Sequence, residues 1–111
     1  MADGRTNPCV KIADREFSLS MSRDKKKTLN RQLGGLLAAV NKVAQIDLDA
    51  IAQIIIIGAD LKGDDRELVA EAVYDVDDYP ELVGPVSTYL REVMALRKAD
   101  EGNGKTTSTA K

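Results

Sequence analysis

The chain contains no histidine and no tryptophan, and the first absence carries chemical weight. Histidine is the commonest general base near neutral pH and the commonest transition-metal ligand, so both roles lose their usual residue. Cys9 is the only cysteine, which excludes an internal disulfide and gives no sign of an oxidising compartment. One Phe and three Tyr leave any core overwhelmingly aliphatic. No apolar run reaches the ~20 residues that span a bilayer. The opening Met-Ala-Asp-Gly-Arg-Thr-Asn-Pro lacks the apolar stretch of a secretory signal. Neither sign of charge dominates: 16 Lys and Arg against 18 Asp and Glu leave a net −2, no strong pull toward nucleic acid or anionic membrane. The expectation is one small cytoplasmic domain, since 111 residues can bury a core without metal or disulfide.

What is present is organised around Asp47–Leu61. On a helix, Leu48, Ile51, Ile55 and Ala59 share one face, and Ala50, Ile54, Ile57 and Leu61 an adjoining one. Asp49, Gln53 and Asp60 fall in a polar stripe only about 40° wide at 100° per residue. A helix apolar over most of its circumference needs neighbours on several sides. The β-branched run Ile54–Ile57 also suits a buried strand. Length favours the helix, because the apolar pattern outruns a strand of 4–8 residues.

Before it, Val10 and Ile12, then Phe17, Leu19 and Met21, alternate with polar residues at period two. Ala13-Asp14-Arg15-Glu16 between them predicts a hairpin turn without an Asn-Gly signal. Such a hairpin is marginal alone and must rest on helices. Ser22 or Asp24 then caps a long amphipathic helix from about Asp24 to Gln45. Its apolar arc holds Leu29, Leu33, Leu36, Leu37, Val40, Val43 and Ala44. Gly34-Gly35 in the middle predicts a kink or a close backbone approach, with a hinge as the functional alternative.

After the central helix, capped by Asp47, Leu61-Lys62-Gly63 reads as its end. Asp64 with Glu67 resembles a capping box for a third helix with apolar side Leu68, Val69, Ala72, Val73 and Val76. A fourth starts at Pro80 or, because Gly84-Pro85 interrupts the pattern, at Pro85, and runs to about Lys98. The composition from Ala99 onward predicts disorder. The expected architecture is mainly α (α+β): an N-terminal β-hairpin and about four helices packed around the central apolar helix. Residues 1–8 are a flexible lead-in, 9–98 the domain and 99–111 a tail.

Few motifs carry chemistry. Gly104-Lys105-Thr106 mimics the end of a phosphate-binding loop, but Ala99 stands where that loop needs its first glycine, and the strand–loop–helix context is missing. Asp60 to Glu71 has the length of a calcium loop but places Leu61 and Lys62 among its early ligand positions. The remaining carboxylates read as caps and solvated faces. No catalytic, cofactor or metal residues are assigned, and no enzyme is expected. The basic cluster Arg23, Lys25, Lys26, Lys27 and Arg31 opposes the dipole of its own helix, which points to a partner, while the commoner reading of such a charge run is a plain solvated face. No stacking aromatics accompany it, so a nucleic-acid-binding regulator using Arg23–Arg31 stands second.

In order, these elements are the hairpin Val10–Met21 running into an amphipathic helix, the helix Leu48–Gly58, the acidic start Asp64-Asp-Arg-Glu-Leu-Val69, and a last helix with a polar tail. The order and apolar pattern over about residues 10–98 resemble the small tail assembly chaperones of long-tailed bacteriophages and of phage-derived gene transfer agents. The resemblance holds no catalytic signature. It implies a non-enzymatic protein of the bacterial host cytoplasm. Such proteins bind the long helical tape-measure protein, keep it soluble, and leave as tail-tube protein polymerises; an extended frameshift form in some systems recruits the tube subunit. The partner-binding candidates are Lys25, Lys26, Lys27 and Arg31 with the apolar Ile56, Val83 and Met94. A homo-oligomer stays open; no membrane partner is expected.

Overall fold

A computed structural model describes residues 7–96. The expectations for the start of the chain through residue 6, and for the tail from 99, lie outside the described residues, as do Arg97 and Lys98. The architecture is mainly helical, a two-stranded hairpin followed by five helices.

Strands β1 (Cys9–Ile12) and β2 (Arg15–Ser18) pair antiparallel, with Val10 opposite Phe17 and Ile12 opposite Arg15. Period two puts Val10, Ile12 and Phe17 on one buried face. The turn is tighter than the four residues expected. It consists of Ala13 and Asp14 alone, both left-handed at φ 54° and 62°, which is the type I′ geometry that matches strand twist. After β2 the Leu19 N–H donates to the Pro8 carbonyl at 2.9 Å, carrying Leu19 into the core.

The long helix expected over Asp24–Gln45 is two helices, α1 (Arg23–Leu33) and α2 (Leu36–Ala44). Ser22, and not Asp24, caps α1, its Oγ accepting from the Lys25 N–H at 3.1 Å. Gly34 and Gly35 stand at φ 78° and 117°, values that only glycine adopts freely, and a Cβ there would meet nothing. The glycines thus answer a backbone requirement at the break between the two helices, and a Cβ on either would meet no neighbour. The break also resets the helical phase. Ala39, outside the expected arc, is buried, while Leu37 and Ala44, inside it, are exposed.

Helix α3 (Leu48–Gly58) bears out the central reading: it is a helix, capped by Asp47 accepting from the Ala50 N–H at 3.2 Å. It packs against α1, α2, α4 and α5 and the short turn after α4. Ile51, Ile54 and Ile55 are fully enclosed and Ile56 and Ile57 half-buried. It ends sooner than expected. Asp60 takes the left-handed position of the stop at φ 57°, and Gly63, also left-handed at φ 57°, lies beyond it at the start of the next helix. The Leu61 and Asp60 N–H groups then donate back to Ile56 and Ile57 at 3.0 and 3.3 Å, the paired bonds of a Schellman stop.

Helix α4 (Gly63–Ala72) begins before Asp64 and has no side-chain cap, so the expected capping box is absent. Asp64 and Asp65 sit instead in its first turn, where their charge suits the dipole. A single 3₁₀ turn, Val73–Asp75, follows. Helix α5 (Tyr79–Ala95) starts beside Pro80 and runs unbroken through Pro85, with Asp78 capping the Glu81 N–H at 3.1 Å. Pro85 removes the donor for the Glu81 carbonyl, but Glu81 is exposed and water can serve it. No helix is long and apolar enough to cross a membrane among the described residues.

Candidate functional site

The basic cluster divides when folded. Lys25 turns inward: its Nζ donates to the Ser20 carbonyl at 3.3 Å, to Ser20 Oγ at 2.6 Å and to the Gly58 carbonyl at 2.9 Å. It also pairs with Asp60 at 2.9 Å, with 13% of the Lys25 side chain exposed against 70% for Asp60. Gly58 is the last residue of α3, so Lys25 places its charge on the electronegative end of that helix. Lys26 does the same for α5, its Nζ donating to the Leu96 carbonyl at 2.6 Å and reaching that of Met94 at 3.5 Å. The positive charge that looked unfavourable for α1 therefore serves the C-terminal ends of two neighbouring helices. Two of the proposed partner-binding residues, Lys25 and Lys26, are bound internally; Lys27 and Arg31 stay exposed on successive turns of α1.

The junction around Lys25 is closed. The Ser20 N–H donates to Gly58 at 2.9 Å and the buried Tyr89 hydroxyl donates to the Ser20 carbonyl at 2.8 Å. Burial, reinforced by the charge of Asp60, pushes the Tyr89 phenol far above its usual range, so it remains a proton donor. A Cβ on Gly58 would lie 3.2 Å from Leu19 Cδ2 and from Tyr89 Cζ, so a side chain here would have to push these neighbours back by a few tenths of an ångström, and glycine lets the strand exit, α3 and α5 meet closely. No signal in the local sequence pattern marked Gly58, Ser20 or Tyr89 as one unit.

The other candidates occupy different places. Ile56 lines an open groove between α3 and α4, about 610 Å³ in volume. Its floor is Ala52, Ile56 and Ala70; its rim is Asp49, Gln53, Arg66 and Glu67, all exposed. Two residues of the polar stripe expected on α3, Asp49 and Gln53, thus form one bank. Tyr74 donates its hydroxyl to Asp49, a bond that raises the Tyr74 pKa because the neutral phenol is the donor. Arg15 fixes the start of α4 by pairing with Asp65 at 2.8 Å and lies 5.1 Å from the Phe17 ring centroid. That ion pair holds the Asp65 carboxyl below the usual range. Val83 is half-buried against the core, and Met94, 41% exposed, lies at the far end of α5. The structure therefore joins Lys26 to the Met94 backbone but separates Ile56 from both.

Chemically, the groove offers an apolar floor between polar banks of mixed charge. That arrangement suits the apolar face of an amphipathic helix. Among the described residues no group of three or more acidic, Cys or His side chains is placed to hold a metal. No family model, no curated protein and no solved structure matches the chain.

Proposed function

We propose that the protein is a non-enzymatic binder of helical polypeptide, a tail assembly chaperone whose client is the tape-measure protein. The α3–α4 groove is the observation that carries the reading. Its apolar floor of Ala52, Ile56 and Ala70 suits the apolar side chains of a client helix, and its banks carry both Asp49 and Arg66 for the flanking charges. The client is proposed from the resemblance of the sequence's element order and apolar pattern to that chaperone family. The nucleic-acid alternative loses ground, because Lys25 and Lys26 are committed to helix ends, which leaves Arg23, Lys27 and Arg31 as the exposed cations of the cluster.

The test is co-expression with fragments of the tape-measure protein encoded nearby. A soluble complex and reduced fragment aggregation are expected. Ile56→Lys, which puts a charge on the floor, and Ala70→Trp, which fills the groove, should each weaken capture at least tenfold while helicity by circular dichroism is kept. Capture unaffected by both substitutions would overturn the groove as the site, and no complex with any fragment would overturn the function.

A further inference from the structure

A second depression lies away from the groove, where the hairpin turn meets the 3₁₀ turn and the start of α5. It measures about 530 Å³. Ile12, Ala72 and Val76 provide apolar walls, while Asp14, Asp75, Asp77, Asp78 and Glu81 surround them, with Lys11 the sole cation in the lining. The opposite sign collects at the other end of α5. There Lys26 grips the Leu96 carbonyl and so brings the start of α1 to the C-terminal end of α5. Lys27 and Arg31 are exposed along α1, and Met94 is an exposed apolar side chain at this same end. The 17 residues of α5 separate the two regions by about 25 Å at 1.5 Å per residue. A molecule 46 Å in its longest dimension thus carries a carboxylate-rich depression at one end of α5 and exposed cations of α1 near the other.

We infer that these ends dock on each other between copies of the chain, the Lys27–Arg31 face with Met94 of one copy entering the acidic furrow of the next. Both partners of the contact are on one polypeptide, and their charges and shapes are complementary: a flexible apolar side chain beside cations, and an apolar trough ringed by carboxylates. The distance between them prevents one copy from satisfying itself. The contact is therefore head-to-tail and builds rings or open filaments, not a two-fold dimer. This association is independent of client binding in the α3–α4 groove.

Sedimentation velocity of the full chain across concentrations tests it. At about 10 mM salt, where the screening length is about 30 Å, species larger than the monomer should grow with concentration; at about 1 M, where it is about 3 Å, they should dissociate. Lys27→Glu/Arg31→Glu and Asp75→Lys/Asp77→Lys, each confined to exposed residues outside the helix caps, should each weaken self-association at least tenfold. Mixed together, the two variants restore one native contact, the unchanged Lys27–Arg31 face of one against the unchanged furrow of the other, and should pair again without growing further, which also shows that neither had merely misfolded. A wild-type chain monomeric at low salt throughout, association unchanged in either variant, or no recovery on mixing would overturn the inference.

Discussion

Two flanks of α3 are built in opposite ways. At its C-terminal end, Gly58 is sealed between Leu19 and Tyr89, and its carbonyl receives a backbone N–H and the Lys25 ammonium. Along its other side, Ala52 and Ile56 open into a groove whose polar banks face solvent. One helix therefore serves as the rigid centre and as the wall of a binding surface. Closure comes from glycine, which lets chains meet, and from a cation that satisfies carbonyls no helix can satisfy itself. Openness comes from alanines, which leave room above the backbone.

The sharpest way to break this contrast is to remove one cation from each flank. Lys25→Ala should destabilise by about 2–3 kcal/mol, because it deletes several charge-assisted bonds at a largely covered position. Arg66→Ala on the groove bank should change stability by no more than about 0.5 kcal/mol, as exposed substitutions do. Urea denaturation of both variants decides it, and equal losses would erase the distinction. A smaller probe of the closed flank is Tyr89→Phe, which keeps the packing and removes the bond to the Ser20 carbonyl. A loss of about 1 kcal/mol is expected in the same assay; no loss would mean that the hydroxyl is not needed to fasten the strand exit.

The smallest effect concerns pH and the exposed pair beside the groove. The folded state holds the Asp65 pKa below its ordinary value, chiefly through the hydrogen bond from Arg15 and then through its charge. Its contribution is therefore present above the ordinary carboxylate pKa and is lost as pH falls through the depressed folded value. Acid titration of stability should show this component in the native chain and not in Asp65→Asn. Identical profiles would leave the Arg15 tether without a role in holding the hairpin to α4.

Much of this architecture was legible from spacing alone. Period two located Val10, Ile12 and Phe17 on the hairpin's inner face, and the near-continuous apolar surface of Asp47–Leu61 required a helix surrounded by others. Helix breaks were less legible where side chains gave a misleading cue. Gly34-Gly35 reads as a kink or a close backbone approach, yet two successive positive φ angles end one helix there and a second begins after it. Ile46 and Asp60 take left-handed geometry without glycine, Ile46 at φ 56° against the steric preference of a β-branched residue, so composition could not mark either stop. Of the candidate site, Asp49, Gln53 and Ile56 were visible as the edge of α3's polar stripe. Their opposite bank, Arg66, Glu67 and Ala70, was not, because it depends on how α4 returns across α3.

Local chemistry by itself determined the inventory: an aliphatic core, amphipathic helices, a hairpin, and a set of lysines at the start of α1. Apolar periodicity is a property of neighbours in sequence, and burial follows from it directly. Tertiary structure alone decided what those lysines do. Lys25 reaches Gly58 and Lys26 reaches Leu96, carbonyls 33 and 70 residues further along the chain. A cation's partner is chosen by which helix end is brought within about 3 Å of it, and that distance exists only once the helices have packed.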